Sequence, residues 1–446
     1  MLDKDNIYFI GIGGIGMSAL ARYFIGIGKN VAGYDRYRSS NCEILESEGI
    51  SIHYEDNIEL IDKDFRKKAN TLVIYTPAIP KDQKELNYFI KREFTLLKRA
   101  KVLGEIAKNH ICLAVAGTHG KTTTSSLLAH IFRNSGHQVT AFLGGIAVNY
   151  NSNFLQGKEN SILVAEADEY DRSFLQLNPD GAIITSTDAD HLDIYDGEED
   201  LKNTFQTFAD SVQKNLILQS EVQIKGLKYG LKGDEEFAGL NLRIENHNYV
   251  FDLKTPRGIV GNISSGLPGR HNVENAIGAA ALAFSYGLND EEIKLGISSF
   301  KGVKRRFEYH IKTEKLIYID DYAHHPSEIN ALVNSVRELY PERNICGIFQ
   351  PHLFSRTRDF AEEFAENLSL LDCLILMDIY PAREKPIPGI NSEMLLEKSR
   401  AKEKYLLPKN EILSFLKNRK NQIVLTIGAG DIDQIINPIK MTLLNG

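Results

Sequence analysis

The stretch ICLAVAGTHGKTTT, residues 111–124, decides the fold class of this chain. An apolar run ends here in a glycine-rich turn, and a lysine and a threonine follow before helical spacing of apolar residues begins. This order is typical of a strand that delivers a phosphate-binding loop to the start of a helix. We therefore expect an α/β domain that binds a nucleoside triphosphate, with ATP as the first candidate.

Each residue type in this loop has a physical task. Gly117 and Gly120 let backbone N–H groups approach phosphate oxygens, and Lys121 supplies a positive charge. Thr122 can offer its hydroxyl to Mg²⁺. Val115 stands where the general pattern G-x-x-x-x-G-K-[ST] has a glycine, so an ordinary strand-to-helix turn with a surface lysine is the alternative. The strand before the loop and the helix after it favour the phosphate loop.

Composition limits the class of protein. A length of 446 residues predicts two or three domains. The formal net charge of -7 argues against a nucleic-acid-binding protein, which needs a concentrated positive surface. No apolar run approaches the ~18 residues that cross a bilayer, and no basic signal region opens the chain, so we expect a cytoplasmic protein without membrane insertion. The four cysteines form no C-x-x-C pair, which indicates neither a zinc site nor a disulfide framework.

A second glycine loop lies near the start of the chain. After an apolar strand come Gly11, Gly13, Gly14 and Gly16, and Asp35 ends the next predicted strand. This spacing fits the dinucleotide fingerprint, in which a diphosphate lies on a helix N-terminus and the acid holds a ribose hydroxyl. A UDP-linked sugar offers the same diphosphate. The loop alone favours a dehydrogenase, but with an ATP-type loop it favours an enzyme that joins a nucleotide-linked substrate to another molecule.

Metal-binding side chains follow two further predicted strands. Glu166 comes directly after the strand at 161–165, and His191 follows the strand at 181–187. The carboxyl ends of parallel strands share one edge of a sheet, where the phosphate loop also lies. We therefore expect Thr122 and Glu166 to bind one Mg²⁺ ion and His191 to bind a second, both together with ATP. For Asp171, Asp188 and Asp193, helix capping or solvation is the better interpretation.

The chain is predicted to have an α/β fold of three domains. A Rossmann-like domain spans 1–106, a P-loop ATPase-like central domain spans 107–306, and a second Rossmann-like domain spans 307–446. The alternating stretch at 242–253 predicts an antiparallel hairpin added to the parallel central sheet, and Pro326 predicts the first turn of a helix.

Eight short stretches together resemble the Mur ligases, and they cover essentially the whole chain. These are GIGGIGMS (11–18), GTHGKT (117–122), EADE (166–169), DHLD (190–193), GRHN (269–272), KRRF (304–307), DDYAHHP (320–326) and FQPH (349–352). That family uses the shortened loop G-T-x-G-K-T, so Val115 is no departure from it. The resemblance implies a three-domain enzyme of peptidoglycan synthesis that uses ATP and Mg²⁺. It also implies that the domain at 1–106 binds the UDP-sugar, that the domain at 107–306 binds ATP, and that the domain at 307–446 contacts the amino acid and ATP.

The reaction that the resemblance implies is amide formation on UDP-N-acetylmuramate. ATP phosphorylates the lactyl carboxylate, and the amine of L-alanine then attacks the acyl phosphate. A carboxylate must be activated in this way because it is a poor electrophile, and cations must separate it from the triphosphate. Three alternatives remain: a recycling ligase that adds a preformed tripeptide to the same UDP-sugar, a nicotinamide-dependent oxidoreductase, and a non-catalytic nucleotide-binding module.

The resemblance also implies roles for individual residues. Lys121, Glu166 and His191 are the catalytic and metal-binding candidates. The residues implied for ATP are Gly117, Thr118, His119, Gly120, Lys121, Thr122, Thr123, Asn272 at the adenine, Arg306, and Asp321 at the ribose. The residues implied for L-alanine are Tyr322, His324, His352 and Arg356. The arginine is suited to grip the amino-acid carboxylate. Asn272 has a structural alternative, which is to cap the helix that follows it.

Overall fold

Three β-sheets, whose strands alternate with helices along the chain, organise this protein. The structure is a computed structural model that describes residues 2–188, 195–382, 384–420 and 422–445. The strands are β1 Asn6–Ile10, β2 Asn30–Tyr34, β3 Ser51–His53, β4 Thr71–Tyr75, β5 Thr95–Lys98, β6 Ile111–Ala116, β7 Val139–Ala147, β8 Ser152–Leu155, β9 Ile162–Glu166, β10 Gly181–Ile184, β11 Asn215–Gln219, β12 Leu227–Gly230, β13 Phe237–Glu245, β14 Asn248–Thr255, β15 Gly258–Ser264, β16 Glu308–Lys312, β17 Ile317–Asp321, β18 Ile345–Phe349, β19 Cys373–Leu376, β20 Glu403–Leu406 and β21 Ile423–Ile427. The α-helices are α1 Ile15–Gly26, α2 Ser40–Ser47, α3 Lys84–Lys91, α4 Arg99–Ala107, α5 Lys121–Asn134, α6 Glu198–Asp210, α7 Arg270–Ser285, α8 Asp290–Ser299, α9 Pro326–Leu339, α10 Phe354–Asp359, α11 Ala361–Leu368, α12 Ser392–Lys398, α13 Ile412–Lys417 and α14 Ile436–Asn445.

The N-terminal sheet has the order β3-β2-β1-β4-β5, and all its neighbouring strands are parallel. Its central strand β1 is buried along Ile7–Ile10, as a parallel strand covered on both faces must be. β1 ends at Ile10, and the chain turns through Gly11 before α1 begins at Ile15. The first glycine loop therefore lies at the carboxyl edge of the sheet, where open α/β sheets bind ligands.

A buried carboxyl group lies beneath one face of this sheet. The hydroxyl of Tyr8 donates to Glu85 Oε2 at 2.8 Å, and the amide of Asn57 donates to Glu85 Oε1 at 3.2 Å. Burial raises the pKa of Glu85 from 4.5 to about 7. The folded state therefore holds the Glu85 proton more tightly than the unfolded state does.

We expect Glu85 to make the protein less stable as the pH rises. Its stabilising contribution is complete below pH 4.5 and is lost as the pH passes through about 7, because the folded-state pKa is the higher one. The stability difference between the wild type and Glu85→Gln should thus change by about 3 kcal/mol between pH 4.5 and pH 8. Urea unfolding of both proteins across this range measures the difference, and parallel pH profiles would contradict it.

The central sheet has the order β15-β14-β13-β12-β11-β10-β6-β9-β7-β8. β6 lies between β9 and β10 and is parallel to both, whereas β8 is antiparallel to β7. The predicted hairpin is confirmed as β13 and β14, which are longer than the alternating stretch suggested. Its two-residue turn is Asn246-His247 with φ values of +51° and +57°, as a type I′ turn requires.

The C-terminal sheet has the order β16-β17-β21-β18-β19-β20. β16 is antiparallel to β17, and the other neighbouring strands are parallel. The predicted start of α9 at Pro326 is confirmed, because His325 and Glu328 form a capping box around it. Together the three sheets confirm the predicted fold class: a Rossmann-like N-terminal part, a central parallel sheet with added antiparallel strands, and a Rossmann-like C-terminal part.

The contacts divide the chain into two compact units. The first contains residues 1–242, 251–266 and 274–301, and the second contains residues 243–250, 267–273 and 302–446. The domain boundaries at 106 and 306 stay predictions. All four cysteines are buried and free. Among the described helices, none is both long enough and apolar enough to cross a bilayer.

Candidate active site

The phosphate loop has the predicted strand–loop–helix context between β6 and α5. Gly117 and Gly120 have φ values of +132° and +80°, which favour glycine. Two of the loop amides already form hydrogen bonds within the protein. Thr118 N donates to the carbonyl oxygen of Ser186 at 3.3 Å, and His119 N donates to the hydroxyl oxygen of Ser186 at 2.9 Å. The amides at the start of α5 are therefore the better donors for a phosphate.

Lys121 is held in the loop by a buried carboxylate. Its Nζ donates to Glu169 Oε1 at 2.9 Å, to Oε2 at 2.8 Å, and to the carbonyl oxygen of Gly117 at 2.6 Å. The Lys121 side chain is 13% exposed and that of Glu169 is 0% exposed. Burial opposes the charge on Lys121, but Glu169, Asp168 and Glu166 together raise its pKa. The sequence placed Glu169 among the acids after β9 without giving it a role.

The predicted metal ligands Thr122 and Glu166 lie side by side. Thr122 is close enough to the Glu166 carboxylate to lower its pKa, and Gly144 N donates to Glu166 Oε2 at 3.0 Å. Burial raises the pKa of Glu166, and Lys121 opposes this rise. A carboxylate and a hydroxyl beside a phosphate loop form an oxygen donor set that fits Mg²⁺. His191 lies outside the described residues, so its role stays a prediction.

Asp35 supports the first glycine loop. Its Oδ2 accepts a hydrogen bond from Gly13 N at 2.8 Å, and its Oδ1 accepts one from Tyr37 N at 3.2 Å. The carboxylate thus fixes the turn that would carry the diphosphate. Its contact with a ribose, and the ligand contacts of the loop glycines, stay predictions.

A cavity of about 320 Å³ connects the first glycine loop with the central sheet inside the first compact unit. Its lining includes Gly14 and Gly16 of the first loop, and Glu166 and Asp168 at and after the end of β9. Arg99 also lines the cavity, and its Nη2 lies 3.7 Å from Asp168 Oδ2. Sequence reasoning missed Arg99, because no motif marks it. The cavity therefore borders both the first glycine loop and the predicted metal ligand Glu166.

The four residues predicted for L-alanine come together in the second compact unit. The ring centroids of Tyr322 and His324 are 5.3 Å apart, and those of His324 and His352 are 6.1 Å apart. Tyr380, which the sequence did not indicate, stacks on His352 at 5.7 Å. Burial, together with the nearby His324 and Arg356, lowers the pKa of His352 to about 4. Burial also lowers the pKa of His324. Two neutral imidazoles therefore lie beside one guanidinium.

One nitrogen of this cluster is available for a ligand. His352 Nδ1 is buried and has no hydrogen-bond partner within the described part of the chain. A buried nitrogen without a partner loses stabilisation that a bound polar ligand can restore. The cluster therefore suits a small molecule that carries both a carboxylate and a nitrogen.

Three residues predicted for ATP make structural contacts in the second unit. Asp321 accepts hydrogen bonds from Phe307 N at 2.7 Å and from Ala323 N at 2.8 Å. Burial raises the pKa of Asp321 to about 6. Arg306 Nη1 lies 3.7 Å from Glu328 Oε1, and Asn272 Nδ2 donates to the carbonyl of Pro268 at 2.6 Å. Their contacts with ATP stay predictions.

Family models match most of the chain. The model of the Mur ligase family, catalytic domain, matches residues 6–111, the Mur ligase middle domain matches residues 115–283, and the Mur ligase, glutamate ligase domain, matches residues 305–430. The UDP-N-acetylmuramate--L-alanine ligase of Flavobacterium psychrophilum is 55% identical over 441 residues, which cover 98% of each chain. The enzyme of the same name from Christiangramia forsetii is 48% identical over 451 residues, with 100% of both chains covered.

Solved structures are similar over nearly the whole length. The UDP-N-acetylmuramate-alanine ligase of Thermotoga maritima superposes with a TM-score of 0.86 at 26% identity, and 99% of each chain is covered. A murein peptide ligase from Psychrobacter arcticus has a TM-score of 0.70 at 20% identity, again with 99% of each chain covered. The second similarity concerns the fold alone.

Proposed function

Because the chain belongs to the Mur ligase family, we propose that it attaches L-alanine to the lactyl carboxylate of UDP-N-acetylmuramate at the expense of ATP. The products are UDP-N-acetylmuramoyl-L-alanine, ADP and phosphate, and the chain is a ligase of peptidoglycan synthesis. The observation that carries this proposal is the cavity between the first glycine loop and Glu166. A diphosphate bound at the first glycine loop and a phosphoryl group bound beside Glu166 would both border this cavity.

The first compact unit supplies the activation of the acid. The diphosphate of the UDP-sugar binds at the start of α1, where the helix dipole and free amides favour an anion. Arg99 adds a positive charge along the cavity wall. ATP binds at the start of α5, and Lys121 stabilises the charge on the phosphoryl group as it passes to the lactyl carboxylate. The resulting acyl phosphate is a mixed anhydride that an amine can attack.

Mg²⁺ fits the oxygen donors of this site. Thr122 and Glu166 would hold it, with His191 as a further predicted ligand. The ion would neutralise charge between the triphosphate and the carboxylate, so that two anions can meet. Glu166 keeps its carboxylate oriented through the amide of Gly144.

The second compact unit supplies the amino-acid site. Arg356 binds the carboxylate of L-alanine, since a guanidinium matches a carboxylate in charge and geometry. The unpartnered His352 Nδ1 offers an acceptor to the ammonium group when the imidazole is in the matching tautomer. The ammonium group first loses a proton to solvent, and the free amine then attacks the acyl carbonyl carbon. The C–N bond forms, the C–O bond to phosphate breaks with its electron pair leaving on phosphate, and the nitrogen releases a second proton to give the amide.

Phosphate release tests the proposed function directly. The assay contains UDP-N-acetylmuramate, ATP and Mg²⁺ with L-alanine, glycine, L-serine or a peptidoglycan tripeptide as the amine. We expect L-alanine to give the highest kcat/KM, with glycine about tenfold or more lower because it lacks one methyl contact. Excess EDTA should abolish turnover. A preference for the tripeptide would instead assign the recycling reaction, and no release with any amine would refute ligase activity.

A further inference from the structure

Glu169 has no role in the reaction described above, although it forms an ion pair with Lys121 of the phosphate loop. Both of its carboxylate oxygens accept from Lys121 Nζ, at 2.8 and 2.9 Å. The backbone around it is fixed, because its carbonyl oxygen accepts from the Tyr195 hydroxyl at 2.5 Å and from Arg172 N at 2.9 Å. The carboxylate is therefore held at a set position beside the phosphate loop.

The pairing with Glu169 occupies the hydrogen-bond donors of Lys121. An ammonium group has three N–H donors. The two Glu169 oxygens and the carbonyl oxygen of Gly117 already provide three close acceptors, and the carbonyl of Thr118 lies at 3.4 Å. A phosphate oxygen can bind Lys121 only if one of these contacts is released. The Glu169 charge also repels an arriving phosphate, and burial makes that repulsion stronger than in water.

We propose that Glu169 is a positioning residue that takes the place of the ATP phosphate in the nucleotide-free enzyme. It keeps the Lys121 ammonium paired and folded into the loop, and it lowers the affinity of the empty loop for phosphate groups. When ATP binds, Lys121 exchanges at least one Glu169 contact for a phosphate oxygen. This inference rests on the proposed function, since it requires that ATP binds at this loop.

The proposal predicts opposite effects of one substitution on stability and on affinity. Glu169→Gln preserves shape but removes the negative charge. The buried Lys121 ammonium then lacks its counter-charge, so the protein becomes less stable. ATP no longer competes with a carboxylate, and its Kd should fall by about tenfold, the equivalent of one charge-assisted hydrogen bond. A residue with only a structural role would lower both stability and affinity.

Calorimetric titration with ATP tests this proposal on the full chain. The titrations are made in EDTA, so that Lys121 rather than a metal ion dominates phosphate binding. We expect Glu169→Gln to bind ATP about tenfold tighter than the wild type. Glu169→Asp shortens the side chain by one methylene and so moves the negative charge away from Lys121. This variant should bind ATP about threefold tighter than the wild type. Glu85→Gln is the matched control, because it makes the same substitution at a fully buried glutamate that is remote from the loop in sequence. The Kd of this variant for ATP should equal that of the wild type.

Two outcomes would overturn the proposal, and they are distinguishable. Equal or weaker ATP binding by both Glu169 variants, with normal binding by the wild type, refutes the role of Glu169 alone. Absence of ATP binding and of phosphate release in the wild type refutes the proposed function, and the role of Glu169 with it. If Glu169→Gln does not fold, the affinity of Glu169→Asp decides between the outcomes.

Discussion

Replacement of Lys121 by alanine is expected to lower kcat/KM for ATP by about 10³-fold, because the phosphoryl group loses the cation that stabilises its developing charge. The loss should be present in kcat as well as in KM, since the charge on the phosphoryl group grows toward the transition state. Phosphate release at saturating L-alanine and UDP-N-acetylmuramate measures it. Near-normal turnover by the variant would contradict a phosphoryl-transfer site at this loop.

The control for this prediction separates chemistry from stability. Lys121→Ala leaves the Glu169 carboxylate buried without its partner, which should destabilise the protein by about 3–5 kcal/mol. The double variant Lys121→Ala/Glu169→Gln removes both charges and should recover most of that stability. Its turnover should nevertheless stay as low as that of the single variant. Recovery of activity together with stability would show that the lysine acts only through folding.

The local patterns of the sequence identify the loops and strand ends correctly. The apolar run 111–116 forms β6, and the glycines and Lys121 form the loop before α5. Glu166 lies beside Thr122 because the carboxyl ends of β6 and β9 share one sheet edge. These features are predictable because each depends on residues close in sequence and on the parallel order of the sheet.

Contacts between distant residues are not encoded in such patterns. Glu166 and Glu169 are both acids in one turn, and only the folded backbone directs the first to Thr122 and the second to Lys121. Arg99 and Asp168 likewise meet across two sheets without a spacing rule.

Some backbone conformations also cannot be predicted from the local sequence. Leu353 has a φ of +72°, a value that favours glycine, although leucine occupies the position. It lies between His352 and α10, which carries Arg356. The loop is fixed by hydrogen bonds, since Leu353 N donates to the carbonyl of Tyr380 at 3.0 Å. Tertiary contacts, rather than local preference, determine the backbone in this part of the proposed amino-acid site.

Substitution of Gly117 by alanine is expected to disable the phosphate loop. Gly117 has a φ of +132°, and a Cβ atom there would lie 2.1 Å from Thr185 Oγ1 and 2.8 Å from Ser186 N. The second neighbour is backbone that follows β10, so the loop and the neighbouring strand end must both move. Because Ser186 also anchors Thr118 and His119, we expect ATP turnover to fall at least about 100-fold. The free energy of unfolding should fall by about 3 kcal/mol.

Gly136 provides the matched control for this change. Its φ is +85°, and no heavy atom lies within 4 Å of the position that a Cβ would take. Gly136→Ala therefore carries only the backbone penalty of a left-handed residue, about 1–2 kcal/mol, and should leave ATP turnover normal. Urea unfolding and phosphate release on both variants separate the two effects. Equal destabilisation of both variants, or normal turnover by Gly117→Ala, would show that close packing against Thr185 and Ser186 does not determine the loop.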